Sequence, residues 1–454
     1  DVSTLAGGGA LGVQSLDAVL KATIQEEEHF VLFKQLMSTN ASNIVDEYIR
    51  QTGVGGFPGG SFNSQMGVVR AAQGEYSREV GMVKFLMTLR QVGYVLNIGK
   101  NVVDAITVEE MSGARQLLTD AEYALFYGNA AANPTQFDGI FKQIDDEIAA
   151  GGMSGDHVVD MDGTALTDIT PFSKINSAVY DYGSWGTVTD VYLPTAVQTD
   201  LNMGLDPAFR WMPQGGNTPQ IGGHVEAIRL THGPLKTHID TFLHHDEFPM
   251  AKPLEVTYPA IAVGNAAFKP ASVTVDASAS DASSTFTASR AGNYYWGVAG
   301  IGPNGEGMSQ ITLTAQTAVA SGKKAVLTIT ASAGGSETGY AIFRSRKDGT
   351  NAAADLRLVK VIPKSGATTT FTDANRDIPG TCAVPLLNMK ASADAIGWRQ
   401  FLPMTKIPLP FGVGGVPVHS WFQFLFGYLR MTKPKHHGYI KNILPATAQW
   451  KPFG

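Results

Sequence analysis

The chain has 454 residues with 34 Lys+Arg against 40 Asp+Glu, a net charge of -6, and 16% charged residues where about 25% is usual. This mild acidity, without a Lys/Arg-rich run, excludes a dedicated nucleic-acid reader. The single cysteine, Cys382, excludes a disulfide framework and a Cys-based zinc cage. A chain with 44% hydrophobic residues has material for a large core, but so few charges leave little polar cover for a lone particle, which points to burial by other subunits.

No apolar run reaches the ~18 residues of a membrane span. Trp421 to Leu429 comes nearest and holds Gln423, so a soluble protein with no membrane partner is expected. From Asp1 onward no charged-then-apolar leader is visible, so no signal peptide is expected.

In chain order, Gly7-Gly8-Gly9 opens a soft segment, and Leu16, Val19, Leu20 and Ile24 predict a helix from Ser15. Ser38 to Asn43 reads as a loop before another short helix. The run Gly53-Val54-Gly55-Gly56-Phe57-Pro58-Gly59-Gly60 lacks the Lys-Ser/Thr of a phosphate-binding loop and reads as a hinge. Val68 to Val95 reads as an extended hairpin, with Arg70, Glu75, Arg78, Glu79, Lys84 and Arg90 among apolar residues. A bare two-stranded ribbon is marginal in water, so this arm is expected to lie on a neighbouring subunit and pair charges there. The strongest helix spans Val108 to Tyr127. Thr107 and Glu110 suit a capping box, Met111, Ala114, Leu118, Ala121 and Leu125 form a stripe, and Gly128 is the stop.

Phe137 to Ala149 predicts a second helix. An α/β unit follows: Val158 starts a strand, Thr170 caps a helix with Pro171 at its first position, and Gly183 ends it. Val188–Leu193 is a strand, Pro194–Leu201 a short helix, Asp206 to Gly223 turn-rich, and His224–Leu230 and Leu235–Phe242 strands. From about Leu254 to Leu387 the helical period gives way to Ala, Ser, Thr and Gly. Eight strands are expected there: Ser272–Asp276, Ser284–Ser289, Asn293–Gly300, Gln310–Ala315, Ala325–Ala331, Tyr340–Ser345, Leu356–Ile362 and Thr369–Thr372. That spacing describes a β-sandwich, inserted in a domain because mixed structure resumes after Ala393. Deleting 256–386 is therefore expected to leave a competent chain.

Catalytic candidates are few. Val158-Val159-Asp160-Met161-Asp162-Gly163-Thr164 resembles the first motif of haloacid-dehalogenase phosphatases, which would make Asp160 nucleophile and Asp162 proton donor with Mg²⁺. No later acidic pair suits the metal, and the alternative is a strand ending in an Asp-Gly turn. His232, His238, His244 and His245, beside Asp246 and Glu247, offer ligand types without ligand spacing, and His436-His437 stands apart. No Gly-x-Ser-x-Gly elbow is present, and Cys382 reads as a small buried apolar residue. No catalytic residue, cofactor or metal is assigned. The aromatic strand Trp421 to Leu429 is expected to be a core strand contributing partly to an interface, with Trp421 and Phe424 as its anchors.

The order of these elements, with Tyr127-Gly128-Asn129, Phe137-Asp138-Gly139-Ile140, Tyr182-Gly183, Thr189-Asp190-Val191-Tyr192-Leu193-Pro194 and the closing Gly427-Tyr428-Leu429-Arg430-Met431, resembles a tailed-bacteriophage major capsid protein of the Hong Kong 97 type. The resemblance implies an α+β fold: N-terminal arm (1–52), extended loop (53–100), peripheral domain with spine helix (101–155), a mostly axial domain (156–253) and a return (391–454). The block 254–390 resembles fibronectin type III or other immunoglobulin-like domains in Tyr294-Tyr295-Trp296-Gly297-Val298, Asn304-Gly305-Glu306-Gly307 and Gly339-Tyr340-Ala341-Ile342-Phe343-Arg344-Ser345. It would face outward and brace capsomers or touch glycans.

The implied function is structural, not enzymatic: hexamers and pentamers closing an icosahedral shell around double-stranded DNA. Its implied partners are the portal and scaffold, protease and decoration proteins. The implied location is the virion, with assembly in the host bacterial cytoplasm. The expected assembly residues are Arg70, Glu75, Arg78, Glu79, Lys84, Trp421 and Phe424. Some members of that family crosslink subunits, but nothing identifies an acceptor for Lys84. The alternatives are the Asp160/Asp162 phosphatase and a cell-surface adhesin, which would need a secretion signal upstream of Asp1.

Overall fold

The spine of the molecule is the helix Ala105–Tyr127. In the computed structural model, residues 30–57, 60–98, 104–183, 186–204, 227–243, 265–304, 307–412 and 415–453 are described. The expected helix from Ser15, the stretch Asp206 to Gly223, and His244, His245, Asp246 and Glu247 lie outside them. Asp104, not Thr107, caps the spine: its side chain accepts from the Ile106 amide at 3.3 Å and from the Thr107 hydroxyl at 2.7 Å. The Thr107–Glu110 capping box does not form, because a carboxylate one turn earlier occupies the positive end of the helix; Glu110 pairs with Lys406. Gly128 ends the helix as expected, and a Cβ there would lie 2.2 Å from the Phe137 carbonyl oxygen.

The spine and the helix Ile140–Ala149 pack on a four-stranded sheet ordered Ser38–Asn40, Ile396–Pro408, Val418–Met431, Lys84–Gly93. Here two expectations fail. Val68 to Val95 does not fold on itself: Glu75–Met82 pairs back with Val45–Gly53, while Lys84–Gly93 pairs with residues of Val418–Met431. The chain runs straight between the two through Val83, which is buried and donates to the Ile44 carbonyl at 2.9 Å. The short helix expected after Asn43 is therefore the strand Val45–Gly53, whose exposure alternates with period two. The glycines from Gly53 lie towards the far end of this ribbon and are not a hinge at its base; Gly55 and Gly60 take left-handed φ values of 78° and 82°.

A six-stranded sheet is ordered Val158–Asp160, Gly438–Ile443, Cys382–Leu387, Asp190–Leu193, Gly233–Ile239, Ala227–Leu230. The helices Thr170–Tyr182 and Thr195–Gly204 cover it through Phe172, Ile175, Val179, Val197 and Leu201. Pro171 and Gly183 sit at the ends of the first helix as expected, although Ile169, not Thr170, is the N-cap. Cys382–Leu387 corrects the expected domain boundary: it is an interior strand of this sheet, not the tail of the insert. Cys382 is buried and free, as expected.

The insert is an all-β unit of two facing sheets. One is ordered Thr368–Asp373, Ala325–Thr330, Ser272–Asp276, and the other Thr312–Leu313, Trp296–Ile301, Gly339–Ser345, Leu356–Pro363. Gly292–Tyr294 and Thr317–Val319 form a further small pair. Phe286, Trp296, Leu327, Ile329, Tyr340 and Ile342 fill the space between the sheets. Ser284–Ser289 is not a strand. Within it the Phe286 amide donates to Ser284 Oγ at 3.2 Å, a local bond that competes with ladder pairing, while the Ser284 and Thr285 hydroxyls donate to the Lys323 and Asn375 carbonyls at 2.7 and 2.5 Å. The unit is pinned to the body by Arg290 on Asp162 (2.5 Å), Lys347 N–H on Pro452 O (2.8 Å), and Trp450 Nε1 on Asp355 (3.2 Å).

Candidate assembly surface

A strand's side chains alternate between faces, so a sheet packed on one helix layer has a second face to account for. In Val418–Met431, Trp421 and Leu425 are buried towards the spine, and Gln423 Nε2 donates to the Glu110 carbonyl at 2.9 Å. Phe422, Phe424 and Phe426 take the other face, where their register partners are Leu89, Met87 and Phe85. Those three are 47%, 61% and 45% exposed. Ile407, paired with Phe422 from the opposite side, is also exposed. The result is an apolar outer sheet face with no layer of its own chain over it among the described residues.

The ribbon adds further exposed apolar side chains. Ile49, Tyr76, Val80 and Met82 are exposed along it, and Phe62, Met66, Val68 and Val69 at its tip. Its root is rigid. Asp46 accepts from Arg399 at 2.8 and 3.0 Å and from the Tyr428 hydroxyl at 2.6 Å, and the Arg399 bond above all holds its carboxyl below the usual range. Arg50 makes a two-pronged bond to Glu147 at 3.1 and 2.9 Å, fixing the ribbon to the helix Ile140–Ala149.

The residues expected at an interface divide accordingly. Arg70 and Glu75 are exposed. Arg78 pairs across the ribbon with Glu47 at 3.2 Å, Glu79 accepts from Ser77 at 2.9 Å, and Lys84 donates to the Pro134 carbonyl at 2.6 Å. These three have partners within their own chain. Trp421 is 2% exposed and lies under Lys406, so it anchors the core, whereas Phe424 belongs to the open face. Phe85, Met87 and Leu89 were missed; their alternation in Lys-Phe-Leu-Met-Thr-Leu-Arg is visible, but not which face is left uncovered.

The catalytic alternative has its carboxylates engaged. Asp160 Oδ1 accepts from the Asp162 amide and from Asn442 Nδ2, both at 2.8 Å, and Asp162 is held by Arg290 of the insert. Asp162 and Gly163 have φ of 50° and 74°, the Asp-Gly turn. His238 is 2.8 Å from Asp190, and His232 stacks on Tyr180. No cluster of three or more His, Cys, Asp or Glu suited to a metal occurs among the described residues. None of their helices is long and apolar enough to cross a membrane.

No protein-family profile matches the chain. A protein of Enterococcus phage phiEF24C described as "Putative major capsid protein" is 23% identical over 195 residues, which span 41% of this chain and 39% of that relative. Among solved structures, the capsid chain of a native GTA particle is similar over 97% of this chain and 98% of its own, with 9% identity and a TM-score of 0.48. A chain of Microbacterium phage Oxtober96 is similar over 97% and 98%, with 8% identity and a TM-score of 0.46. The SrpI encapsulin of Synechococcus elongatus PCC 7942 is similar over 99% and 97%, with 8% identity and a TM-score of 0.45.

Proposed function

We propose that this chain is the major capsid subunit of a tailed bacteriophage, of the Hong Kong 97 type, and that it assembles as hexamers and pentamers into the virion shell around double-stranded DNA in the bacterial cytoplasm. The observation that carries the reading is the open apolar face of Phe85, Met87, Leu89 and Phe424, together with the exposed Phe62, Met66, Val68 and Val69 beyond the ribbon's ties to its own chain. Covering a large apolar side chain contributes ~1.5–3 kcal/mol, so a few per subunit, repeated round a ring, drive closure. The matched protein of phage phiEF24C supports the same reading, as do the order of arm, ribbon, spine and return strand.

In this reading Arg70, Glu75 and Phe424 face neighbouring subunits. The insert is immunoglobulin-like in its layering, though not in its strand order, and braces capsomers from outside; its several bonds to the body suit a rigid mount. Portal, scaffold, protease and decoration proteins are the partners the reading implies. Negative-stain electron microscopy of the expressed chain tests it. Regular shells, rings or tubes are expected, and Met87→Asp, which places a charge on the open face, is expected to give folded, unassembled subunits. A uniform monomer from the unaltered chain at every concentration would overturn the proposal.

A further inference from the structure

Glu122 lies near the C-terminal end of the spine with no exposed surface, and its two carboxylate oxygens accept from the amides of Leu32 and Phe33 at 2.7 and 2.8 Å. These are first-turn donors of the helix Val31–Gln35, which has no side-chain cap of its own. Glu122 thus caps a distant segment from across the core. Beside it stands Asp240, also without exposed surface, at the exit of the strand Gly233–Ile239, near enough that each carboxyl acts on the protonation of the other. Asp240 Oδ1 accepts from the Phe242 amide at 2.9 Å, while Oδ2 has no donor among the described residues.

No Lys or Arg pairs with either carboxyl among the described residues, and the segments that carry them and their partners also contribute Phe30, Leu32, Phe242, Leu243 and Phe126 to the apolar core. Two ionised carboxylates cannot hydrogen-bond, since both only accept, and two such charges side by side in an apolar core are strongly disfavoured. One proton between them removes the conflict and satisfies Asp240 Oδ2. We propose that Glu122 and Asp240 share a proton, and that this bridge is a pH-sensitive latch fastening residues 30–36 to the spine helix.

Burial pushes both carboxyls up, Asp240 to about 6 and Glu122 well above its usual value. Coupled carboxyls titrate as a unit; in this proposal their shared proton is held at neutral pH and lost to solvent on the alkaline side. The other titratable groups nearby are Tyr192, whose hydroxyl donates to Gln35 at 2.5 Å, and Asp190 paired with His238, whose ring is 3.3 Å from Gln35. Lys34 stands in the last turn of the short helix. Of these, His238 also touches the latched segment and needs its own control. The inference concerns the folded chain and does not depend on shell assembly.

The test is amide exchange of Leu32 and Phe33 in the full chain, each rate divided by its intrinsic rate, as pH rises from neutral. Infrared difference spectra follow the protonated carboxyl in parallel. Protection is expected to fall by about tenfold or more, the worth of one pKa unit, as the carboxyl band disappears. In Asp240→Asn an amide N–H donates to Glu122 at every pH, so protection should stay flat; should that variant not fold, the carboxyl band of the parent chain decides by itself, because Glu122→Gln would turn a donor onto the Leu32 or Phe33 amide. His238→Gln should keep the parent profile. The latch is overturned if no protonated carboxyl assignable to the pair exists at neutral pH, or if Asp240→Asn loses protection in step with the parent chain.

Discussion

His437 has no exposed surface, and the Asn388 amide donates to its Nδ1 at 3.2 Å. Burial pushes its pKa from 6.5 down to about 3, and His157 and His436 are lowered for the same first reason. The unfolded chain binds the proton near 6.5 and the folded chain does not, so stability is full above that value and declines as pH falls through the window. At about pH 5, His437 alone should cost about 2 kcal/mol relative to neutral pH. Urea unfolding at the two pH values measures this, and His437→Gln, which keeps an acceptor but cannot ionise, should remove that share. An equal acid loss in both proteins would refute the assignment. Nothing in Lys433-Pro434-Lys435-His436-His437 indicates this burial; the Lys-rich neighbourhood reads as surface, and only packing against Asn388 and the helix Thr170–Tyr182 places the rings inside.

Elements are joined by a few buried polar ties. Arg344, on one sheet of the insert, donates to Asp373 on the other at 2.7 Å and to Asn375 at 2.6 Å; Trp296 Nε1 reaches the same Asp373 oxygen at 3.0 Å. Arg344 is fully buried, with its guanidinium beside the rings of Phe286 and Tyr294. Asp373→Ala would strand a buried cation and orphan the indole N–H, a loss of about 3–5 kcal/mol. It should appear as early unfolding of the insert, followed by Trp fluorescence in denaturant, and an unchanged midpoint would contradict the tie. The strand content of this block was legible because strands such as Ser272–Asp276 and Ala325–Thr330 are bounded by turn residues. The small strand Thr317–Val319 was not, being short and paired only with Gly292–Tyr294.

At the scale of the whole chain, the body sheet takes the chain back at Cys382. Cys382–Leu387 lies between Gly438–Ile443 and Asp190–Leu193, so deleting 256–386 removes an interior strand and is expected to give insoluble or molten protein. Removing only 265–377 keeps the strand but uncovers Trp450 and Phe453, which now pack against Arg357 and Arg290. That variant should remain folded, with lower stability. Circular dichroism and size-exclusion chromatography distinguish the two, and a cooperative native-like fold from the larger deletion would show the boundary to be wrong.

What the sequence by itself determined is local. The spine ends at Gly128, Pro171 and Gly183 bracket a helix through their own backbone preferences, and alternating side chains make strands. Low charge, too, pointed to covered surface, and apolar side chains do stand open on the sheet and ribbon. Only the tertiary structure decided which strands are partners. Lys84–Gly93 pairs with Val418–Met431 and not with its neighbour Glu75–Met82, because period two states that a strand has two faces but names neither its partner nor the face left open. The same holds for Glu122, an ordinary acidic residue in the spine until residues 30–36 and Asp240 converge on it from either side in sequence.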